Sequence, residues 1–285
     1  MPTTIHPTAF VEPGAQLGVD CTIHQYAVVH RWATLGDRVT VHPFAVVGGD
    51  PQDLKFKQGS ESWVKVGSGT RVRESVTINR GTDHGTSTIV GDNCLLMACS
   101  HVAHDCMVGN GVVIANAVLL AGYVTVEDFA ILGGASIYHQ FIRVGRGAMV
   151  GGGSRISLDL PPFTLVTERN EVVGLNLVGL KRRGTPPEAI RELKEAFHRV
   201  FGAANLKEAA AQILSSDGDR AEETRFFLEF FRDGKRGFAR LRNEAAERAE
   251  RAESEPYGPV HADPESRSLD ESEMSPLNSA NRALA

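Results

Sequence analysis

Two histidines and an aspartate stand close together in the run Ser100-His101-Val102-Ala103-His104-Asp105. An imidazole with an unperturbed pKa of about 6.5 is largely neutral at pH 7 and can take a proton from an attacking hydroxyl. A carboxylate beside it, as Asp105 is beside His104, favours the imidazolium that forms. The run therefore suits general-base chemistry with His104 as the base. Two other uses of the same residues stay open at this point. His104 can be a turn histidine with no task, and His101, His104 and His139 can be imagined as zinc ligands.

The scaffold that must hold these groups is legible from a period of six. From Val90 every sixth residue is Leu96, Val102, Val108, Ile114, Leu120, Val126, Leu132, Tyr138, Val144, Val150 and Ile156. Four positions after each head stands a mostly small residue, such as Cys94, Ser100, Cys106, Ala130 or Ala148. Residues 5–48 repeat the pattern without exception, and it resumes at Val66 with Val72, Ile78 and His84. A period of six is neither a helix nor a single strand, and it marks a parallel β-helix of hexapeptides. Three hexapeptides close one triangular coil, so residues 18 apart stack roughly 4.8 Å apart. Twenty-four heads, all but His84 and Tyr138 being Leu, Ile or Val, predict about eight coils. Residues 49–63 break the phase and are read as an excursion loop, which in a solenoid usually has a job.

The prism is expected to span 1–162 and to end at Pro161-Pro162, because proline cannot donate the next ladder hydrogen bond. Residues 163–243 read as a transition followed by a helical domain. Thr185-Pro186-Pro187-Glu188 resembles a capping box with proline at the helix start, and Ile190, Leu193, Phe197, Val200 and Phe201 share one helical face. Two more helices are expected at 205–215 and 219–232. Residues 244–285, rich in Glu, Ser, Pro, Asp and Ala, read as a disordered acidic tail.

Composition narrows the class. The 285 residues carry a formal net charge of −5 and 42% hydrophobic residues, which argues against nucleic acid as a partner. No apolar run reaches the roughly 20 residues of a membrane span. Met1-Pro2-Thr3-Thr4 opens no secretory signal, so a cytoplasmic location is expected. The four cysteines form no CxxC pair, which disfavours a zinc ribbon or a disulfide framework.

Beyond the repeat stand Gln52-Asp53-Leu54-Lys55, Arg73-Glu74-Ser75-Val76-Thr77-Ile78, Leu95-Leu96-Met97, His101-Val102-Ala103-His104-Asp105-Cys106, His139-Gln140-Phe141, Met149-Val150-Gly151-Gly152 and Gly179-Leu180-Lys181-Arg182-Arg183-Gly184. In this order, over residues 1 to about 240, they closely resemble the UDP-N-acetylglucosamine O-acyltransferases of lipid A synthesis. The resemblance implies a left-handed β-helix with a C-terminal helical domain, although the period alone does not set the hand. It implies transfer of a 3-hydroxyacyl chain from acyl carrier protein, whose phosphopantetheine arm carries it, to the 3-position of UDP-N-acetylglucosamine. No metal or other cofactor is implied. A homotrimer with sites between subunits is.

The same resemblance implies roles residue by residue. His104 matches the general base, Asp105 the carboxylate that orients it, and Gly122 the backbone N–H donor to the thioester oxyanion. Asp53 and Lys55 match residues that hold the glucosamine, and His101 and His139 match histidines around the sugar and its phosphates. Gln140, Asn176, Arg182 and Arg183 match nucleotide-side contacts, where the planar fork of arginine suits a diphosphate. Gly152 matches the position that sets acyl-chain length, with Met149 near it. The chain departs from the family at Tyr123, usually histidine, and at Val178, usually glutamate. Two alternatives stand beside this reading: a UDP-sugar-binding paralogue with impaired catalysis, and a zinc enzyme like the γ-type carbonic anhydrases.

Overall fold

Each hexapeptide contributes a strand of as few as two residues and then a turn. Its aliphatic head points inward and the small residue four positions on closes the corner, as with Val90 and Cys94, both 1% exposed. The computed structural model describes residues 2–216 and 218–242. In it the strands wind into a left-handed β-helix of three parallel sheets, which begin with Thr4–Ile5, Phe10–Val11 and Gln16–Leu17. Its core is a continuous column of buried Val, Ile, Leu, Ala and Cys side chains. Cys21, Cys94 and Cys106 are buried in it, whereas Cys99 is exposed at a corner.

The stacking is regular at both ends and irregular near the middle. Val102 pairs with Leu120, and Leu120 with Tyr138, at the eighteen-residue repeat. Val66, however, pairs with Val90, Val72 with Leu96, and Ile78 with Val102. Each of these partners lies six residues further along than the repeat requires. A second loop, Arg80–Thr86, therefore leaves the prism, and His84, expected as an inward head, is an exposed residue of that loop. It lies against the first loop, which runs between strands Val46–Gly49 and Trp63–Val66.

Pro161-Pro162 does not end the ladder. Strand Thr164–Thr167 adds a further parallel rung on Met149–Val150 before the chain reverses into antiparallel Glu171–Leu175. The prolines sit at a corner, where no ladder N–H is needed. Among the described residues four helices follow: α1 (Leu177–Arg182), α2 (Pro187–Phe201), α3 (Leu206–Ser215) and α4 (Glu222–Glu229). The expected capping box is absent, because the cap of α2 is Pro186, which makes no side-chain bond, and the Thr185 N–H is used on Leu180 O. The apolar face of α2 packs on Phe227, with Phe197 at a ring separation of 6.1 Å, and Phe227 stands 5.3 Å from Phe231. Arg143 and buried Asp159 join this layer to the prism. Asp159 accepts from Arg143 N and Nε at 2.9 Å, while Arg143 Nη2 donates to Phe230 O and Asp233 O. Among the described residues no helix is long and apolar enough to cross a membrane. The expected acidic tail, 244–285, lies outside the described residues.

Candidate active site

His104 and Asp105 form the turn that follows strand His101–Val102. Asp105 has φ of 58°, a left-handed conformation that aspartate tolerates better than most residues. The turn folds the carboxylate back onto its neighbour, so His104 Nδ1 lies 3.0 Å from Asp105 Oδ2 and 2.6 Å from Thr82 Oγ1. Burial raises the Asp105 pKa, but hydrogen bonds from His104, Thr86 and Thr82 outweigh it and hold the group at about 2. An ionised carboxylate can only accept, so Nδ1 carries the ring proton and the lone pair is on Nε2. That nitrogen lies 3.7 Å from Asp53 Oδ2, too far for a hydrogen bond. His104 is thus oriented on one side and unbonded on the other, the arrangement a general base needs.

One rung along, Gly122 lies against the imidazole. A Cβ at this position would stand 2.6 Å from His104 Nε2, inside contact distance, so glycine is required. The flanking Ala121 and Tyr123 N–H groups bond to Tyr138 O and His104 O, both at 3.1 Å. The Gly122 N–H has no hydrogen-bond partner among the described residues. It stands beside His104 and is free to donate to an oxyanion formed there.

These groups line a groove of about 630 Å³ together with Gln52, Thr77, His101 and Gln140. His101 Nδ1 lies 2.7 Å from Thr77 Oγ1. Burial, and then the neighbouring charge of His104, push its pKa below the ordinary value, so it is neutral at pH 7. The excursion loop brings Asp53 to the rim, where Oδ1 accepts from Lys55 N at 2.8 Å, while the Lys55 side chain is exposed. His139, which lines the adjoining pocket with Ile137 and Tyr138, meets the guanidinium of Arg236, whose Nε donates to Gln140 O at 3.1 Å. A cation against His139 opposes its use as a zinc ligand. Among the described residues, no three His, Cys, Asp or Glu side chains are grouped to hold a metal.

Other expected site residues stand apart from the groove within one chain. Asn176 is only 6% exposed; its Oδ1 accepts from Gly179 N at 2.9 Å and its Nδ2 donates to Gly147 O at 3.0 Å. Each end of the amide makes one of these bonds, so Asn176 caps α1, the helix that carries Arg182. Arg183 lines a separate pocket of about 200 Å³ with Arg146, Phe163 and Glu223. Burial lowers its pKa, with Glu223 opposing and Arg146 adding to the shift. Met149 belongs to the sheet beside that of His101. Gly152 lies in the same column of corner turns as Ala98, next to the groove residue Cys99, three rungs further on at the repeat of Leu95, Val113, Ile131 and Met149. At strand spacing that is about 14 Å along one edge of the prism.

The residues that sequence reasoning missed are on the loops. Thr82 touches His104, Arg80 anchors the excursion loop, and Arg236 comes from beyond α4. The only signal for the first two was His84, the polar residue at an expected head.

Residues 159–239 match the family model described as UDP-N-acetylglucosamine O-acyltransferase, domain 2, and residues 87–122 match that of the bacterial transferase hexapeptide. A relative from Anaeromyxobacter sp. (strain K), named acyl-(acyl-carrier-protein)–UDP-N-acetylglucosamine O-acyltransferase, is 46% identical over 257 residues, covering 83% of this chain and 99% of its own length. One of the same name from Synechocystis sp. is 51% identical over 156 residues, which is 54% of this chain and 56% of that protein. Among solved structures, the UDP-N-acetylglucosamine acyltransferase from Campylobacter jejuni superposes with a TM-score of 0.73 at 36% identity, covering 84% of this chain and all of its own. That of Moraxella catarrhalis gives 0.75 at 31% identity, over 83% of this chain and 99% of its own. A chain that matches one such relative over nearly its whole length, and shares the fold of others, belongs to the UDP-N-acetylglucosamine O-acyltransferase family.

Proposed function

We propose that this protein transfers a 3-hydroxyacyl chain from acyl carrier protein to the 3-position of UDP-N-acetylglucosamine, the first step of lipid A synthesis, in the cytoplasm. The observation that carries this reading is the orientation of His104 by Asp105 with Nε2 facing a bare glycine peptide. His104 Nε2 takes the proton of the sugar hydroxyl as its oxygen attacks the thioester carbonyl. The Gly122 N–H stabilises the tetrahedral oxyanion. Collapse breaks the carbon–sulfur bond, and the imidazolium returns its proton to the phosphopantetheine thiolate. Asp53 and Lys55 hold the glucosamine, while His101, His139 and Gln140 line the way toward the nucleotide. Acyl-chain length is set near Gly152, where a larger side chain would crowd Gly134 O, 3.1 Å from a Cβ there. Arg182 and Arg183 engage the diphosphate of a site completed by a neighbouring copy in a homotrimer. The place of Arg183 in a pocket separate from the groove supports that division, as does the full exposure of Leu54 on the excursion loop.

The test is turnover of UDP-N-acetylglucosamine with a panel of 3-hydroxyacyl carrier proteins, with the product identified by mass spectrometry. His104→Ala is expected to lower turnover by about 10²–10⁴-fold while nucleotide binding survives. Turnover retained in His104→Ala but lost in His101→Ala would move the base to the other histidine. Tight sugar-nucleotide binding without product from any donor would instead establish a binding paralogue.

A further inference from the structure

The loop Arg80–Thr86 has no place in a hexapeptide prism, yet it touches the proposed base on one side and the loop that faces its other side. Thr82 is 4% exposed. Its hydroxyl lies 2.6 Å from His104 Nδ1, and its N–H donates to Asp105 Oδ2 at 3.0 Å. It therefore holds the two partners of the dyad from a chain segment that neither belongs to. Two residues earlier Arg80 is 3% exposed and reaches the other way. Its Nε donates to Asp50 Oδ1 at 3.0 Å, and its Nη1 donates to Ser60 O at 2.5 Å and Ser62 Oγ at 3.1 Å. Its guanidinium lies between the rings of Phe56, at 4.9 Å, and Trp32, at 5.4 Å. Four of these contacts, Asp50, Phe56, Ser60 and Ser62, lie on the excursion loop on either side of Asp53, whose carboxylate faces His104 Nε2.

We propose that the insert is the positioning element of the site, with Thr82 fixing the orientation of the His104 ring and Arg80 fixing the loop that places Asp53 opposite it. This rests on the reading of His104 as the base. The two positioning residues act on different steps. Thr82 works through the base, so its loss falls on the chemical step. Arg80 works through Asp53, so its loss falls on the hold of the sugar, which is shared by ground and transition states. A displacement of about 1 Å at a reacting group costs as much as 10²-fold in rate, which sets the scale of the expected effects.

The experiment compares steady-state kinetics of the full-length variants with UDP-N-acetylglucosamine and a 3-hydroxyacyl carrier protein. Thr82→Val keeps the shape and removes the hydroxyl; it is expected to lower kcat about 10-fold or more with little change in KM for the UDP-sugar, and Thr82→Ser is expected to restore most of kcat. Arg80→Lys keeps the charge and loses the fork. It is expected to raise KM for the UDP-sugar several-fold while kcat is largely kept, and to add little in an Asp53→Asn background, because both changes act on one contact. Wild-type kcat in Thr82→Val, or no recovery in Thr82→Ser, overturns the role of Thr82. Full additivity of Arg80→Lys with Asp53→Asn overturns that of Arg80, and this arm stands even if Thr82→Val fails to fold. His104→Ala run in parallel separates the two levels. If it retains turnover, the base assignment fails and the proposal with it; if it is inactive while Thr82→Val is normal, only the positioning role of Thr82 fails.

Discussion

The two histidines of the site differ in what their surroundings do to them. His104 is tied at Nδ1 and open at Nε2, whereas His101 is tied to Thr77 and kept neutral by burial. In the unfolded chain His101 protonates near its ordinary pKa of about 6.5, but in the native groove it resists protonation to lower pH. The unfolded state therefore binds more protons as pH falls below about 6.5, and stability drops until the native pKa is passed. The stabilising difference is fully present above about pH 6.5. His101→Gln, which keeps a neutral polar side chain, is expected to lose less melting temperature between pH 7 and pH 5 than the wild type does. Parallel thermal melts at the two pH values check this; equal losses would mean that His101 is not desolvated as the structure implies.

At the scale of elements, the junction between prism and helical layer depends on one ion pair. Asp159 is fully buried and Arg143 is 23% exposed, whereas in the Arg146–Asp128 pair the side chains are 31% and 25% exposed. Removing one member of a buried pair leaves an uncompensated charge and costs about 3–5 kcal/mol, whereas exposed pairs contribute about 0–1 kcal/mol. Because Arg143 keeps some access to water, Asp159→Ala is expected to cost about 2–3 kcal/mol, and Asp128→Ala less than about 1 kcal/mol. Urea denaturation of the two variants measures the contrast. A similar cost at both positions would show that the junction is held by Phe230, Phe231 and Phe238 rather than by the charge pair.

At the scale of the whole molecule, the site proposed above draws on neighbouring copies of the chain, which refolded mixtures of variants can test. His104 and Gly122 belong to one groove, whereas Arg183 lines another pocket of the same chain and Arg182 precedes it at the end of α1. If neighbouring copies in a trimer combine the two, His104→Ala and Arg182→Ala proteins, each of low activity, are expected to complement each other when unfolded together and refolded as a mixture. Some mixed sites then carry both wild-type contributions. Recovery to several times the activity of either variant alone is expected. No recovery from a mixture shown by light scattering to be trimeric would place each whole site within one chain.

The period of six, by itself, determined that the chain coils into a three-sided parallel β-helix, though not the hand of the coil. That register also places Gly122, 18 residues beyond His104, one rung along from the His104–Asp105 turn, whereas the roles expected of the three came from the resemblance. The same period hid the second loop, because an insertion of six residues leaves the phase of a six-residue repeat unchanged. Only the strand pairing of Val66 with Val90 exposes it, and with it the places of Thr82 and Arg80. Only the tertiary structure could decide that Pro161-Pro162 turns a corner, since a missing N–H matters within a ladder and not between ladders. It likewise decided that Asn176 is occupied by Gly147 and Gly179, for the partners of a buried amide are set by what packs around it, and no spacing along the chain records them.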